Sequence, residues 1–184
     1  MIRTIVITSI ALLMLGCASP AVQSTPDGWK QFIDNELPLL GHRNWLLVVD
    51  KAFPAQTGTG ITVVNSGEPL LAVLDYVMQQ VEQSSHITPI LYTDRELAYI
   101  TPEMVPGIEE FRGRLYSKLG GYELQTLLHD EVFLKIDEAS SLFRVLVIKT
   151  EETIPYSSVF LELDCAYWTP AQEALLREQM ANPF

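Results

Sequence analysis

The sequence predicts one α/β domain in which helices flank a mixed sheet, in three layers. Short apolar runs bounded by polar turns have the length and composition of buried strands, and longer segments carry apolar residues at spacings of three and four, as amphipathic helices do. The chain has 184 residues, of which 48% are hydrophobic. That length supports one substantial core and is too short for two large domains.

The first elements of this domain alternate between helix and strand. In 28–40 the apolar residues fall on one helical face, and Pro38 lies near the end of that helix. The run 45–49 is apolar, rich in β-forming residues and too short for a helix, and 61–64 is a second short strand. Leucines and other apolar residues at spacings of three and four then predict a helix over 68–81.

The second half repeats the alternation. A strand is predicted over 87–92 and a helix over 107–119, whose apolar stripe ends at a pair of glycines. Further elements are a helix over 131–141 and strands over 145–148 and 160–168. A final helix to about Met180 begins at Thr169-Pro170-Ala171-Gln172, which supplies an N-cap, a first-turn proline and a capping-box glutamine.

Residues 1–16 have the composition of a lipoprotein signal peptide. Arg3 gives the positive start, an apolar segment follows, and Met14-Leu15-Gly16-Cys17 resembles a lipoprotein processing site. An ordinary signal peptide and an N-terminal anchor helix are the alternatives, although the apolar segment is shorter than the ~20 residues that a membrane span needs.

Cleavage before Cys17 predicts a lipid-anchored protein. Residues 17–27 would form a tether and 28–184 the folded domain. This arrangement places the protein in the cell envelope, on the periplasmic face. The outer membrane is favoured because Ala18, and not an aspartate, follows the cysteine.

The charge balance excludes one class of partner. The chain has 12 Lys and Arg against 23 Asp and Glu, a net charge of −11. Nucleic-acid binding needs clustered cations, so no nucleic acid is expected as a partner. If Cys17 is acylated, Cys165 is the one remaining thiol, so no internal disulfide can form. Cys165 is predicted to be buried and inert.

Two segments place polar groups at the ends of predicted strands. Gly41-His42-Arg43-Asn44 precedes the strand 45–49, and Asp50 and Phe53-Pro54 follow it. The strand 145–148 leads into the polar segment 150–158, where Pro155 sets the backbone before Tyr156. Open α/β sheets bind ligands at such strand ends.

The two segments resemble the ribose pyranase and fucose mutarotase family. Its members carry Gly-His-x-Asp, an apolar strand, Asp, a short gap and Pro, and later roughly Thr-Gly-Glu-x-x-x-Tyr-x-Asn. The resemblance extends from about residue 39 to residue 163. Three positions depart from it: Asn44 stands in place of Asp, Glu151 in place of Gly, and Ser158 in place of Asn.

The resemblance implies opening and reclosure of a sugar ring by acid–base catalysis, without a cofactor. An imidazole suits such chemistry because its ordinary pKa of ~6.5 gives both protonation states near neutral pH. By resemblance, His42 is the acid–base group, Asp50 holds that imidazole or a sugar hydroxyl, and Tyr156 is a hydroxyl donor or proton partner. The remaining implied substrate contacts are Ser158, Glu152 and His129.

The same residues have structural interpretations. Asp50 can be a strand-end cap, Tyr156 an amphipathic residue with its ring in the core, and Glu152 an exposed turn carboxylate. His129 matches a second functional histidine of some relatives only if several residues are inserted before it. No metal site is expected, because no two ligand types fall at a short zinc spacing.

The sequence therefore predicts a membrane-anchored monosaccharide mutarotase or pyranase acting on a ribose- or fucose-like aldose. The family resemblance also implies a ring-shaped homo-oligomer with sites completed across subunits. One alternative is a non-catalytic sugar-binding lipoprotein, which the departures at Asn44 and Ser158 favour. The other is a structural or interaction protein with the same fold, favoured by Glu151 and the additional terminal helix.

Overall fold

The computed structural model describes residues 28–181. The predicted signal peptide, the acylation site Cys17 and the tether lie outside the described residues. Within the described part, no helix has both the length and the apolar character needed to span a bilayer.

A six-stranded mixed sheet forms the centre of the domain, in the order β2-β5-β1-β6-β3-β4. Its strands are β1 Trp45–Val49, β2 Ile61–Asn65, β3 Ile87–Asp94, β4 Leu124–Leu127, β5 Val145–Lys149 and β6 Val159–Cys165.

The strand directions determine where a ligand site can form. β5 pairs in parallel with both β1 and β2, and β3 pairs in parallel with β4. β6 runs antiparallel to its neighbours β1 and β3. The carboxyl ends of β1 to β5 and the amino end of β6 therefore meet at one edge of the sheet, where open α/β sheets bind ligands.

Helices cover both faces of the sheet. The helices are α1 Gly28–Glu36, α2 Leu70–Gln83, α3 Ile108–Leu119, α4 His129–Leu142 and α5 Pro170–Ala181. Helices α1, α2 and α3 pack in one core with residues such as Leu46 and Leu161, while α4 packs in a second core with Leu47 and Phe160. β1 contributes to both cores, which explains why its five residues are all buried.

This architecture confirms the predicted α/β class with a mixed sheet flanked by helices. The predicted final strand was too long, since β6 ends at Cys165, where its pairing with the first residue of β3 ends. The short edge strand β4 was missed because its four residues are only partly buried or exposed and carry no apolar run. Helix α5 begins with the expected cap: Thr169 Oγ1 accepts the Gln172 N–H at 3.2 Å, and Gln172 Oε1 accepts the Thr169 N–H at 2.8 Å.

Candidate functional site

A cleft of about 450 Å³ lies at the sheet edge where the strand ends meet. Its size is within the ~300–1,000 Å³ range of small-molecule sites. It combines apolar walls with a carboxylate, an amine, an imidazole and a phenol. The lining residues are Asp50, Lys51, Ala52, Phe53, Pro54, His129, Thr153, Pro155 and Tyr156.

Asp50 forms the base of this cleft and is held on both carboxylate oxygens. The Ala52 N–H donates to Oδ1 at 2.9 Å, and the Ser158 hydroxyl donates to Oδ2 at 2.9 Å. The same Ser158 Oγ accepts the Asp50 backbone N–H at 3.1 Å. Asp50 is 8% exposed, so its carboxylate has one fixed orientation and only a small surface open to a ligand.

The segment 150–158 is folded tightly against the Asp50 loop. Thr150 Oγ1 donates to the Val49 carbonyl at 2.8 Å, and Lys51 donates its backbone N–H to the Glu152 carbonyl at 2.8 Å. An ion pair between Lys51 and Glu151 joins the two segments at the surface. Glu151 thus has a structural partner, Lys51, at the cleft rim.

Tyr156 reaches the cleft from an unusual backbone conformation. Its φ is 59°, in the left-handed region that non-glycine residues rarely adopt, and it directly follows Pro155. Such strain costs on the order of 1–3 kcal/mol and is concentrated at functional sites. The conformation brings the Tyr156 ring edge-on to His129, with 5.2 Å between ring centroids.

His129 is the first residue of α4 and lies between two carboxylates. Its Nδ1 is 3.2 Å from Oδ2 of Asp94, the last residue of β3. Its backbone N–H donates to both carboxylate oxygens of Glu96, at 3.1 and 3.2 Å. The ring is 29% exposed and faces the cleft, so Nε2 is the nitrogen left for a ligand.

Asp94 is an ionisable side chain that is almost fully buried. The pKa of its carboxyl is raised to about 6, mainly by burial; His129 opposes the shift, and the carboxylates of Glu96 and Asp50 contribute to it. Perturbed carboxyl groups of this kind are concentrated at ligand and catalytic sites. Sequence reasoning did not select Asp94, although it ends a parallel strand at the same edge as Asp50.

His42 lies at the other end of β1. The strand has five residues, and at ~3.3 Å per residue the Cα atoms of its two end residues are about 13 Å apart. The imidazole is 55% exposed, and its Nε2 is 4.0 Å from Oδ1 of Asp164. Within one chain, Asp50 therefore does not hold His42, and the expected cluster of His42, Asp50 and Tyr156 is not formed.

Two predicted sugar contacts have protein partners instead. Ser158 is fully buried beneath Asp50, so its hydroxyl orients that carboxylate and does not line the cleft. Glu152 Oε1 accepts the backbone N–H groups of Thr153 and Ile154, at 2.9 and 3.0 Å, so it is a carboxylate of the turn, although half-buried and not exposed. Asn44 likewise closes its own turn, because its Oδ1 accepts the Gly41 N–H at 2.7 Å.

The side chains present suit an organic ligand with several hydroxyl groups. Among residues 28–181, no group of three or more His, Cys, Asp or Glu side chains is arranged to hold a metal ion. The cleft offers a fixed carboxylate acceptor, an imidazole nitrogen and a phenol, with Phe53 and Pro54 as an apolar wall. These groups can hydrogen-bond a polar organic ligand beside an apolar surface.

The fold has known counterparts, although no protein-family model and no curated protein sequence matches the chain. RbsD of Bacillus subtilis, solved in complex with D-ribose, superposes with a TM-score of 0.51 at 20% identity, covering 72% of this chain and 91% of that one. FucU of Bifidobacterium longum gives 0.48 at 17% identity, covering 73% and 94% of the two chains. The fucose mutarotase of Streptococcus pneumoniae, in complex with L-fucose, gives 0.48 at 14% identity, covering 76% and 92%. The chain thus shares the α/β fold of RbsD.

Proposed function

We propose that this protein binds an aldose in the Asp50 cleft and accelerates the interconversion of its anomeric or ring forms. The observation that carries the proposal is the convergence of Asp50, His129 and Tyr156 from three segments on one cleft. Further support comes from the shared fold with RbsD, which was solved with D-ribose.

The reaction requires two proton transfers. A base removes the proton from the anomeric hydroxyl, the bond between the anomeric carbon and the ring oxygen breaks, and an acid protonates that oxygen. Reclosure on either face of the aldehyde reverses these steps. In the proposed assignment, Nε2 of His129 is the base, Asp50 accepts a hydrogen bond from a sugar hydroxyl, and Tyr156 donates one.

The first test is the activity itself. In saturation-transfer NMR, the purified protein should speed exchange between the α and β forms of ribose, fucose or a related aldose above the rate in buffer. A positioned acid or base contributes ~10²–10⁴-fold in rate, so the effect should be measurable at low protein concentration. The absence of both binding and exchange over a broad aldose panel would contradict the proposal.

We also propose that His42 acts from a second copy of the chain, as the acid that protonates the ring oxygen. Within one chain it lies at the opposite end of β1 from Asp50, and more than half of its side chain is exposed, so it is accessible to another molecule. A symmetric oligomer would bring the histidine end of one subunit to the cleft of the next.

Mixed oligomers test this arrangement. His42→Gln and Asp50→Asn should each lower exchange strongly when expressed alone. After random co-assembly in equal amounts, about a quarter of the sites should contain both native residues and regain activity. A monomer by light scattering, or no recovery on mixing, would contradict the role of a second copy.

A non-catalytic sugar-binding protein is the second candidate. It is favoured by the placement of His42 outside the cleft of its own chain. In that case, the NMR measurement should show ligand binding with exchange at the buffer rate.

Lipid attachment at Cys17 remains a proposal from the sequence. The short apolar segment before a Gly-Cys pair supports processing at that bond. Cys17→Ser should abolish incorporation of labelled fatty acid and release the protein from the membrane fraction or leave an unprocessed precursor. An intact mass with an unmodified N-terminus at another residue would indicate ordinary secretion.

A further inference from the structure

We propose that Asp94 is the positioning residue for His129: its buried carboxylate accepts the Nδ1–H and thereby keeps Nε2 unprotonated toward the cleft. This inference rests on the proposed function of the same cleft. It assigns a role to the one buried carboxylate among residues 28–181 that the sequence motifs do not include.

The first support is that Asp94 has no other donor. Its side chain is fully buried, and its Oδ2 lies 3.2 Å from His129 Nδ1. Neither carboxylate oxygen has a hydrogen-bond donor fixed by geometry among the described residues, and this imidazole is the ring nitrogen within ion-pair distance of it. A buried carboxylate without a donor is costly, so the N–H of the imidazole should face it.

The second support is that the His129 ring is held on its other sides. Glu96, two residues after Asp94, binds the His129 backbone N–H through both carboxylate oxygens. The rings of Phe133 and Tyr156 approach the imidazole at 4.8 and 5.2 Å between centroids, with interplanar angles of 90° and 89°. The ring therefore has little freedom to rotate away from Asp94.

An ionised Asp94 favours the same tautomer of the His129 imidazole. The titratable groups that act on Asp94 are Asp50 after β1, Glu96 after β3 and His129 on α4. Burial raises the pKa of Asp94 to about 6, so its carboxyl is ionised at pH 7.5 and can accept the Nδ1–H. The neutral imidazole then presents the lone pair of Nε2, which is the form that a base must have.

Asp94→Asn tests the inference with little change in shape. The amide can pair with either tautomer of the imidazole, so the selection of the Nδ1–H form is lost. We expect the plateau exchange rate to fall on the order of 10²-fold, less than the ~10⁴-fold seen when the orienting carboxylate of a serine-protease triad becomes an amide. The acid limb of the pH–rate profile should also move to lower pH. The variant lacks the neighbouring negative charge that stabilises the imidazolium, so the pKa of the imidazole should fall.

Nitrogen NMR of the imidazole gives a readout that does not depend on activity. The chain has three histidines, and His129→Gln identifies the signals of the one in question. At pH 7.5 the wild-type spectrum should show a protonated Nδ1 and an unprotonated Nε2, and Asp94→Asn should show a mixture. Asp75→Asn is the matched control, because Asp75 is a surface residue of α2 that pairs with Lys118 of α3. This substitution should change neither the spectrum nor the rate.

The outcomes separate the two proposals. If the wild-type protein accelerates exchange but Asp94→Asn keeps the plateau, the acid limb and the tautomer, the inference about Asp94 is wrong and the proposed function stands. If no aldose is affected, the proposed function fails, and the spectra alone decide on Asp94. A wild-type His129 protonated at Nε2 would overturn the inference even if Asp94→Asn does not fold.

Discussion

Replacing His129 with glutamine should reduce catalysed ring exchange by ~10²–10⁴-fold, the contribution of a positioned acid–base group. The glutamine amide can still donate a hydrogen bond to Asp94, so the buried carboxylate keeps a partner and the fold should be retained. What is lost is the lone pair of Nε2 that faces the cleft. The measurement is saturation-transfer NMR on the best aldose, with the thermal midpoint recorded in parallel.

His86→Gln is the control for this substitution. His86 contacts the Leu40 carbonyl at 3.0 Å and does not line the cleft, and glutamine can maintain that contact. The His86→Gln substitution should leave the rate of ring exchange unchanged. Equal losses in both variants, or full activity in His129→Gln, would remove His129 from the mechanism and leave Tyr156 and His42 as candidates.

The sequence was sufficient to predict the elements with strong local patterns. β1 was predicted because its five consecutive residues are apolar and rich in β-forming types, and all five are buried in the structure. Helix α5 was predicted because Thr169 and Gln172 form its capping box. The location of Asp50 in the cleft followed from the same reasoning, since a polar residue after a parallel strand lies at the ligand-binding edge.

The rest of the site depends on strand order, which local patterns do not contain. His42 and Asp50 are close in sequence, but a strand between them separates them in space. Asp94 and His129 are far apart in sequence, yet β3 and β4 are neighbours in the sheet and bring them into contact. The edge strand β4 precedes His129 and positions it, but its sequence contains no apolar run from which a strand could be predicted.

Asp94 should also make the stability of the protein depend on pH. Its folded-state pKa is about 6, against ~3.9 for an unperturbed aspartate. Between pH 4 and pH 6 the folded protein therefore holds a proton that the unfolded chain has released, and the free energy of unfolding falls as the pH rises. Two pKa units correspond to roughly 3 kcal/mol, and the loss is complete above about pH 6.

The comparison of wild type with Asp94→Asn isolates this contribution. Urea unfolding at pH 4.5 and pH 7.5 should show the variant gaining stability relative to wild type by a few kcal/mol as the pH rises, because the asparagine does not ionise. Asp75→Asn should show no such gain, since Asp75 is a surface residue paired with Lys118. A constant difference between wild type and Asp94→Asn would mean that the carboxyl is not protonated preferentially in the folded state. A gain in the relative stability of Asp94→Asn would mean that the folded wild-type protein contains an unfavourable buried charge at this edge. Such a cost is expected where a carboxylate is retained for its effect on a catalytic imidazole and not for stability.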